Sequence, residues 1–349
     1  MQQSDACIHP LDHPIRLAQI GAGYWGPNLI RHFVQSKDIS SFLICDQNQK
    51  VISKVQEQYP SVHVAGDAKA VLCDPEIDAI VLATPAKTHY AMAREALLHG
   101  KHVLVEKPLA CALTDAEDLV SLAREKGLIL MVGHTFLYND AVRMVKKYID
   151  SGELGDIYYI LSQRLNLGRI REDVNAWWNL APHDVSIILY WLGEMPSKVQ
   201  CKGMRFLQEN IEDVVFANFD FPGGKSAHIH VSWLDPLKTR RMVIVGSKKM
   251  LVYDDVATEG KITIYNKGID KCSGLKDLPD IESYGQFQFM HWNGDIIIPH
   301  FKFREPLGVE CRHFLECIRN GTPPLTDGQH GLDVVAVLEE AQRCLEAAR

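Results

Sequence analysis

The segment Gly21-Ala22-Gly23-Tyr24-Trp25-Gly26 constrains the fold of this chain more than any other. It follows an apolar, β-branched run at residues 15–20 and precedes a helical pattern that extends to about Ser36. In a strand–turn–helix unit, the first glycine permits the tight turn and the second lets the backbone approach a pyrophosphate. The third lets the helix pack closely on the strand, and the helix N-terminus offers N–H groups to the phosphates. The segment therefore predicts a dinucleotide-binding βαβ unit.

The pattern of predicted strands and helices changes part-way along the 349 residues, a length that suits two domains. Over roughly the first 140 residues, short apolar runs alternate with helical patterns, as in βαβ units around a parallel sheet. Farther on, turn residues separate strand-like runs, and helical patterns occupy 182–192 and 305–349. We predict an α/β fold with a Rossmann domain at 1–138 and an α+β domain at 139–349, and either domain could carry the last helices. The predicted strands are 15–20, 42–45, 78–83, 102–105, 129–132, 157–165, 199–205, 214–221, 225–233, 241–245 and 261–265.

Local signals mark the ends of several elements. Thr114, with Glu117 at the capping-box spacing, predicts a helix start, and Gly100 predicts a helix end. Pro222-Gly223-Gly224 predicts a hairpin turn between two strands of the second domain.

Composition and charge exclude several classes of function. The net charge is -7 with no long basic run, which argues against nucleic acid as a partner. The nine cysteines are scattered without a C-x-x-C pair, which fits reduced thiols in the cytosol, with Cys45 as a small core residue. His228 and His230 alternate along a strand, but no third ligand is spaced to complete a metal site. Since neither a signal peptide nor an apolar run of membrane length is found, we expect a cytoplasmic protein with no metal and no membrane partner.

Asp46 indicates which dinucleotide the first domain binds. It lies twenty residues beyond Gly26, at the end of the second predicted strand, where an acid would bind a ribose 2′-OH. A carboxylate there repels a 2′-phosphate, and the next residues are Gln47 and Asn48 instead of arginine. The alternative is a glycine turn that only packs a helix on a sheet, but the position of Asp46 favours a site for NAD.

Lys107 is the first candidate for catalysis. Pro108 stops the apolar strand that precedes it, so the lysine lies at the carboxyl edge of the sheet, where open α/β folds bind ligands. Burial against a cofactor could lower its pKa enough for proton exchange near neutral pH. On its own, however, a lysine after a strand is more often a solvated end of that strand.

Five segments together resemble the glucose–fructose oxidoreductase / inositol dehydrogenase / MocA family over essentially the whole chain. They are the glycine turn, Ala83-Thr84-Pro85 with His89, Glu106-Lys107-Pro108, Gly133-His134 and Ala181-Pro182-His183-Asp184. The resemblance implies a Rossmann domain followed by a domain on an open, mainly antiparallel sheet. It also implies NAD(P)-dependent chemistry at a secondary hydroxyl of a sugar or cyclitol. The Gly-Tyr-Trp-Gly-Pro-Asn version of the turn resembles a subgroup of UDP-N-acetylglucosamine-type 3-dehydrogenases from surface-sugar pathways.

The resemblance also assigns residues to roles. The family's catalytic lysine and histidine fall on Lys107 and His183, and Asn179 stands where many members carry an aspartate. Positions 179 and 183 would share a helix face, so Asn179 could orient a hydroxyl or fix the His183 tautomer, but it cannot hold a proton as a carboxylate does. Asp184 and Asp173 are candidate substitutes. The expected cofactor-binding residues are Gly21, Gly23, Tyr24, Trp25, Gly26, Asp46, Ala83, Thr84, Pro85, His89, Glu106, Lys107 and His134.

The loop from Arg164 to Asp173 is the candidate for anion recognition. Its three arginines, at 164, 169 and 171, suit the oxygens of a diphosphate. The alternative, of equal weight, is a solvated loop in which Arg169 and Arg171 pair with Glu172 and Asp173. The expected substrate residues are Lys107, Tyr138, Asn139, Arg164, Asn166, Arg169, Arg171, Asn179 and His183, while Trp177 and Trp178 are expected in the core or at a subunit contact.

The resulting hypothesis is an NAD-dependent oxidation of the C3 hydroxyl of a UDP-linked N-acetylamino sugar. Such a reaction needs a base for the hydroxyl proton, which we assign to Lys107 with His183 as partner or alternate base. One alternative is a dehydrogenase of a free sugar or cyclitol, and another is an NAD-binding sensor or scaffold without turnover. A homodimer or homotetramer is expected, because an open sheet would otherwise expose one face to water.

Overall fold

The computed structural model describes residues 8–168, 170–271 and 289–347, which form two compact units. The first unit contains the described residues up to Asn139 together with Arg304–Glu339. The second contains Asp140–Phe303, within the described ranges, and the described residues from Glu340 onward. The second unit thus begins one residue after the predicted boundary, and residues 304–339 belong to the first unit, a placement that the sequence left open.

A six-stranded parallel sheet forms the centre of the first unit, in the order β3-β2-β1-β4-β5-β6. This is the Rossmann strand order, which confirms the predicted class. The strands are β1 (Ile15–Ile20), β2 (Ile39–Cys45), β3 (His63–Ala65), β4 (Ala79–Leu82), β5 (His102–Glu106) and β6 (Leu130–Gly133). The helices are α1 (Gly26–Phe33), α2 (Gln49–Gln58), α3 (Ala68–Cys73), α4 (His89–Leu98), α5 (Leu113–Glu125), α8 (Pro306–Asn320) and α9 (Gly328–Ala347), the last of which runs into the second unit.

Burial explains why these runs form parallel strands. Every residue of β4 is buried, as expected for a sheet covered on both faces, and Cys45 is a core residue as predicted. The predicted cap at Thr114 is wrong, because α5 begins one residue earlier, at Leu113. The Leu113 N–H donates instead to Glu339 Oε2 on α9, at 2.6 Å, so a distant carboxylate replaces the local capping box.

An eight-stranded sheet forms the second unit, in the order β14-β13-β12-β11-β7-β10-β9-β8. Only the β7–β10 pair is parallel among the named pairs, which confirms a mainly antiparallel sheet. The strands are β7 (Ile157–Leu165), β8 (Lys198–Met204), β9 (Val214–Asp220), β10 (Ser226–Ser232), β11 (Thr239–Gly246), β12 (Met250–Asp254), β13 (Ile262–Lys271) and β14 (Phe289–Ile297), with α6 (Asp140–Asp150) and α7 (Ala176–Leu192). Residues 222–224 connect β9 and β10 as predicted, whereas β12 and β14 were not predicted.

Helix α7 is six residues longer at its start than the sequence predicted. The Asn175 side chain caps it by accepting the Trp178 N–H at 3.1 Å, and Pro182 lies inside the helix. Because the helix begins at Ala176, both Asn179 and His183 are helical. In the described part of the chain, no helix is long and apolar enough to span a membrane.

Candidate active site

The three glycines of the turn after β1 are needed for different structural reasons. Gly21 has φ +96°, and a Cβ there would lie 2.5 Å from the Ala83 carbonyl oxygen. A Cβ on Gly26 would lie 2.5 Å from the Gly21 carbonyl oxygen. A Cβ on Gly23, in contrast, would meet no atom within 4 Å. Packing therefore requires Gly21 and Gly26, whereas Gly23 leaves open space beside the backbone, as close approach of a ligand requires.

Gln19 holds this turn from inside the sheet, a role that we did not predict. The side chain is fully buried, and its Nε2 donates to the carbonyls of Gly21 at 2.9 Å and Gly26 at 3.1 Å. A single amide thus fixes both ends of the turn. The signal that could have revealed it is one polar residue inside an otherwise apolar strand core.

The Asp46 carboxylate is fixed beside the same turn. Its Oδ2 accepts the Ala22 N–H at 2.9 Å and its Oδ1 accepts the Asn48 N–H at 2.8 Å. Each carboxylate oxygen can accept more than one hydrogen bond, so acceptor capacity remains for ribose hydroxyls. The open Gly23, the start of α1 and this anion fit an NAD molecule, with residues 21–26 at the pyrophosphate and Asp46 at the ribose.

A side-chain hydrogen bond connects the glycine turn to the segment with Lys107. Trp25 Nε1 donates to Glu106 Oε1 at 2.6 Å, and Lys107 follows directly at the end of β5. Glu106 and Lys107 are both half-buried, whereas Tyr24 is exposed. The lysine predicted to be catalytic therefore lies at the same sheet edge as the predicted pyrophosphate turn.

His89 joins two loops of this edge. Its Nδ1 lies 2.8 Å from the Pro108 carbonyl oxygen and its Nε2 lies 2.9 Å from that of Thr84. The ring is buried, and this burial lowers the pKa of His89. With both ring nitrogens against backbone carbonyls, we interpret His89 as a residue that positions the segments 83–85 and 106–108.

The residues after β6 are more deeply buried than a substrate contact requires. His134 packs edge-to-face on His330 with ring centroids 5.4 Å apart, and burial holds its pKa well below the usual range. The Tyr138 hydroxyl lies 3.0 Å from Thr326 Oγ1 inside the core, and Asn139 is also buried. The predicted sugar contact of Tyr138 thus has no support in this placement, and we assign that side chain to packing.

In the second unit, Asn179 and His183 lie four residues apart on α7 and share a face of the helix. Both are half-buried. The Asn179 Oδ1 accepts the indole N–H of the buried Trp233 at 3.1 Å, which fixes the orientation of the amide. Trp177 is a core residue, as one of its two predicted placements had it.

Arg164 is not available as an anion-binding arginine, contrary to our expectation. Its Nε donates to Asp184 Oδ2 at 2.6 Å, both side chains are buried, and Ser162 Oγ donates to Asp184 Oδ1 at 2.9 Å. The physical reason is strand periodicity, since Ser162 and Arg164 lie on the same face of β7 as the core residue Ile160. Because the same contacts hold the Asp184 carboxylate against Arg164 and Ser162, Asp184 does not replace the missing aspartate at position 179.

The structure tests the anion-binding prediction for Arg171 but not for Arg169. Arg171 forms a two-pronged ion pair with Asp173, with distances of 2.8 and 2.7 Å, as the solvated-loop alternative predicted for it. Arg169 lies outside the described residues. Asn166 is half-buried, and its N–H donates to the Ser232 carbonyl at 3.2 Å.

Two family models match this chain. Residues 15–134 match the oxidoreductase family with an NAD-binding Rossmann fold, and residues 142–252 match the GFO/IDH/MocA C-terminal domain. The chain belongs to the GFO/IDH/MocA oxidoreductase family. This membership confirms NAD as the cofactor and the predicted class of enzyme, an NAD-dependent sugar dehydrogenase.

Similar proteins span this family member nearly from end to end. A scyllo-inositol 2-dehydrogenase (NAD(+)) of Bacillus subtilis is 25% identical over 91% of this chain and 90% of its own length. A UDP-N-acetylglucosamine 3-dehydrogenase of Acidithiobacillus ferrooxidans is 24% identical over 95% and 98%. The WlbA dehydrogenase of Bordetella pertussis, solved with NADH and UDP-GlcNAcA, has a TM-score of 0.76 at 23% identity and covers 97% of this chain and 98% of its own. At this identity the structural likeness shows the fold alone.

Proposed function

We propose that the protein oxidises the C3 hydroxyl of a UDP-linked N-acetylamino sugar with NAD, and that Lys107 exchanges the hydroxyl proton. The observation that carries the catalytic part is the Trp25–Glu106 hydrogen bond at 2.6 Å. It connects the glycine turn to the residue before Lys107, so the proposed cofactor turn and the lysine lie at the same edge of the sheet.

The chain's residues divide the work of the reaction. The N–H groups of residues 21–26 and the carboxylate of Asp46 hold the cofactor, and the segments 83–85 and 106–108 line its edge. When bound, NAD supplies the acceptor for the hydride that leaves the sugar carbon. Lys107 takes the proton from the hydroxyl oxygen, which lets the carbonyl form. His183 stays our alternate base, with Asn179 on the same helix face.

The substrate class is supported by the UDP-N-acetylglucosamine 3-dehydrogenase that matches over nearly the full length of both chains. Arg169 stays the proposed contact to the diphosphate. The second candidate, oxidation of a free cyclitol such as scyllo-inositol, is favoured by the internal ion pairs of Arg164 and Arg171, which leave fewer cations for a diphosphate. The matching scyllo-inositol dehydrogenase supports the same candidate.

Absorbance of NADH separates these candidates. The protein is mixed with NAD and, in parallel, with UDP-N-acetylglucosamine, its 3″-deoxy analogue, scyllo-inositol or glucose. Of these sugars, we expect only UDP-N-acetylglucosamine to reduce NAD. The rate should be lost in Lys107→Met and retained in Lys126→Met, a change at an exposed lysine. Turnover of scyllo-inositol without turnover of the nucleotide sugar would reject the substrate that we propose.

We also propose a cytoplasmic homo-oligomer. One face of the second unit's sheet carries exposed aromatic side chains, Tyr159 and Phe216, next to His228 and His230, with Phe216 stacked on His230 at 4.1 Å. Burial of this face by a second copy would remove apolar surface from water. Light scattering on the native protein and on Phe216→Lys tests this, since a monomer in both samples excludes that interface.

A further inference from the structure

Two carboxyl groups lie near the segment that follows β6. Glu106 ends β5 and lies in register with Gly133, the last residue of β6. A Cβ on Gly133 would lie 3.1 Å from Glu106 Oε2, so the Glu106 side chain occupies the space over that glycine. The first carboxyl is therefore directed toward the segment that follows β6.

The second carboxyl, Glu310 on α8, reaches the same segment. Thr135 lies two residues beyond Gly133, and its Oγ1 donates to Glu310 Oε2 at 2.8 Å. Glu310 has no solvent exposure, and its Oε1 has no hydrogen-bond partner within the described ranges. We refer to Glu106 and Glu310 as the carboxyl pair.

The surroundings of Glu310 disfavour its charge. Burial, and next the nearby Glu106, raise the pKa of Glu310 well above its usual range, while the single hydroxyl of Thr135 opposes this only in part. On α8, Cys311 is also buried, and burial raises the pKa of that thiol well above its usual range. At the start of α8, Glu305 forms an ion pair with Arg31, and another with His32 when the histidine is protonated. These cations therefore pair with Glu305 and not with Glu310.

Glu106 has a different environment, although burial also raises its pKa, to about 7. Lys107 and the Trp25 indole N–H oppose the effect of burial, since both favour the carboxylate. Of the two acids, Glu106 therefore ionises first as the pH rises, and interacting acids of this kind titrate as a pair.

We propose that Glu310 is a positioning residue that keeps its proton over the pH range in which Glu106 ionises, so that the carboxyl pair carries at most one negative charge, on Glu106 beside Lys107. The role in catalysis rests on the proposed function of Lys107. An anionic Glu106 favours the ammonium form that Lys107 reaches when it takes the hydroxyl proton. A second charge on Glu310 would hold Lys107 charged before the reaction and leave it no capacity for that proton.

Infrared spectroscopy of the protein without cofactor or substrate tests the charge state directly. We expect the carbonyl stretch of a protonated carboxylic acid to persist above the pH at which Glu106 ionises, and this band to be lost in Glu310→Gln but kept in the matched control Glu316→Gln, an exposed residue of the same helix. A second acid band, from Glu106, should titrate in Glu310→Gln with the same midpoint as in the native protein. A native spectrum without the Glu310 band overturns the proposal, as does a midpoint lower by about one unit, since this shows that an anion was removed.

The pH dependence of turnover tests the positioning role. Glu310→Ala lets water reach Glu106, so the acidic limb of the kcat profile should move to lower pH, and Glu310→Gln should restore the native profile. Loss of rate in Glu310→Ala with an unmoved profile indicates a purely structural residue and overturns the role. The expected infrared result together with no turnover of any sugar contradicts the proposed function instead, and leaves the charge state of Glu310 established.

Discussion

The glycine turn offers a pair of substitutions that separate folding from cofactor binding. Gly21→Ala and Gly23→Ala add the same methyl group two residues apart. At Gly21 the methyl group meets the Ala83 carbonyl at 2.5 Å and the residue must adopt φ +96°, whereas at Gly23 it meets nothing within 4 Å. The first change therefore acts on the folded protein and the second on the space that we assign to the pyrophosphate.

The two substitutions should change the free energy of unfolding in opposite directions. An L-residue at a sparsely populated φ costs about 1–3 kcal/mol, and the backbone contact adds to this, so Gly21→Ala should lose about 2 kcal/mol or more. For a unit of this size that is a fall in Tm of about 4–8 °C. Gly23 does not have a positive φ, so Gly23→Ala should be neutral or stabilising by about 0.4–1 kcal/mol, because it restricts the unfolded chain.

Thermal unfolding with and without NAD, together with calorimetric titration of NAD, measures both effects. We expect Gly23→Ala to keep its Tm without NAD, to lose most of the stabilisation by NAD, and to bind NAD at least tenfold more weakly, a change of about 1.4 kcal/mol. Native affinity for NAD in Gly23→Ala would refute the assignment of this turn to the pyrophosphate.

Three further predictions concern charged groups. Lys107→Ala should lower kcat by about 10²–10⁴-fold and Asn179→Ala by less, which steady-state kinetics compares, and the reverse order would make our assignment of the base wrong. Arg164→Ala should lower the free energy of unfolding by about 3–5 kcal/mol, because it leaves the buried Asp184 without its partner, and a loss below about 1 kcal/mol in urea denaturation contradicts this. Because burial raises the pKa of Glu106 to about 7, the native state holds a proton that the unfolded chain releases at lower pH. The stabilisation from this proton is therefore complete in acid and is lost as the pH rises through 7. In urea denaturation measured across this range, Glu106→Gln should show a smaller decline in the free energy of unfolding.

Much of the fold was readable from the sequence because the first unit is locally consistent. Apolar runs bounded by turn residues gave β1, β4 and β5 to within a residue or two. The exceptions have more than one cause. The start of α5 is set by Glu339, more than 200 residues away. Strand β3 spans only three residues, too few for a clear strand pattern, and β12 and β14 were not predicted although β12 pairs with the predicted strands β11 and β13.

The candidate site divides in the same way. Motif spacing placed the glycine turn, Asp46 and Lys107 at one sheet edge, because each follows directly on a strand. It did not show that Arg164 turns into the core to meet Asp184: strand periodicity places Arg164 on the face of Ile160, but the sequence does not reveal which distant carboxylate pairs with it there. The roles of Gln19 and Glu310 were also missed, since neither residue belongs to a recognisable motif and each acts through contacts that only the fold brings together.

Transfer of deuterium from labelled substrate tests the central claim most directly. UDP-N-acetylglucosamine with deuterium at C3 is incubated with the native protein and NAD, and the reduced cofactor is analysed by mass spectrometry. We predict reduced cofactor that carries one deuterium, together with a 3-keto nucleotide sugar. Unlabelled NADH, or no reduction while scyllo-inositol is oxidised, would contradict oxidation at the C3 hydroxyl of a nucleotide sugar.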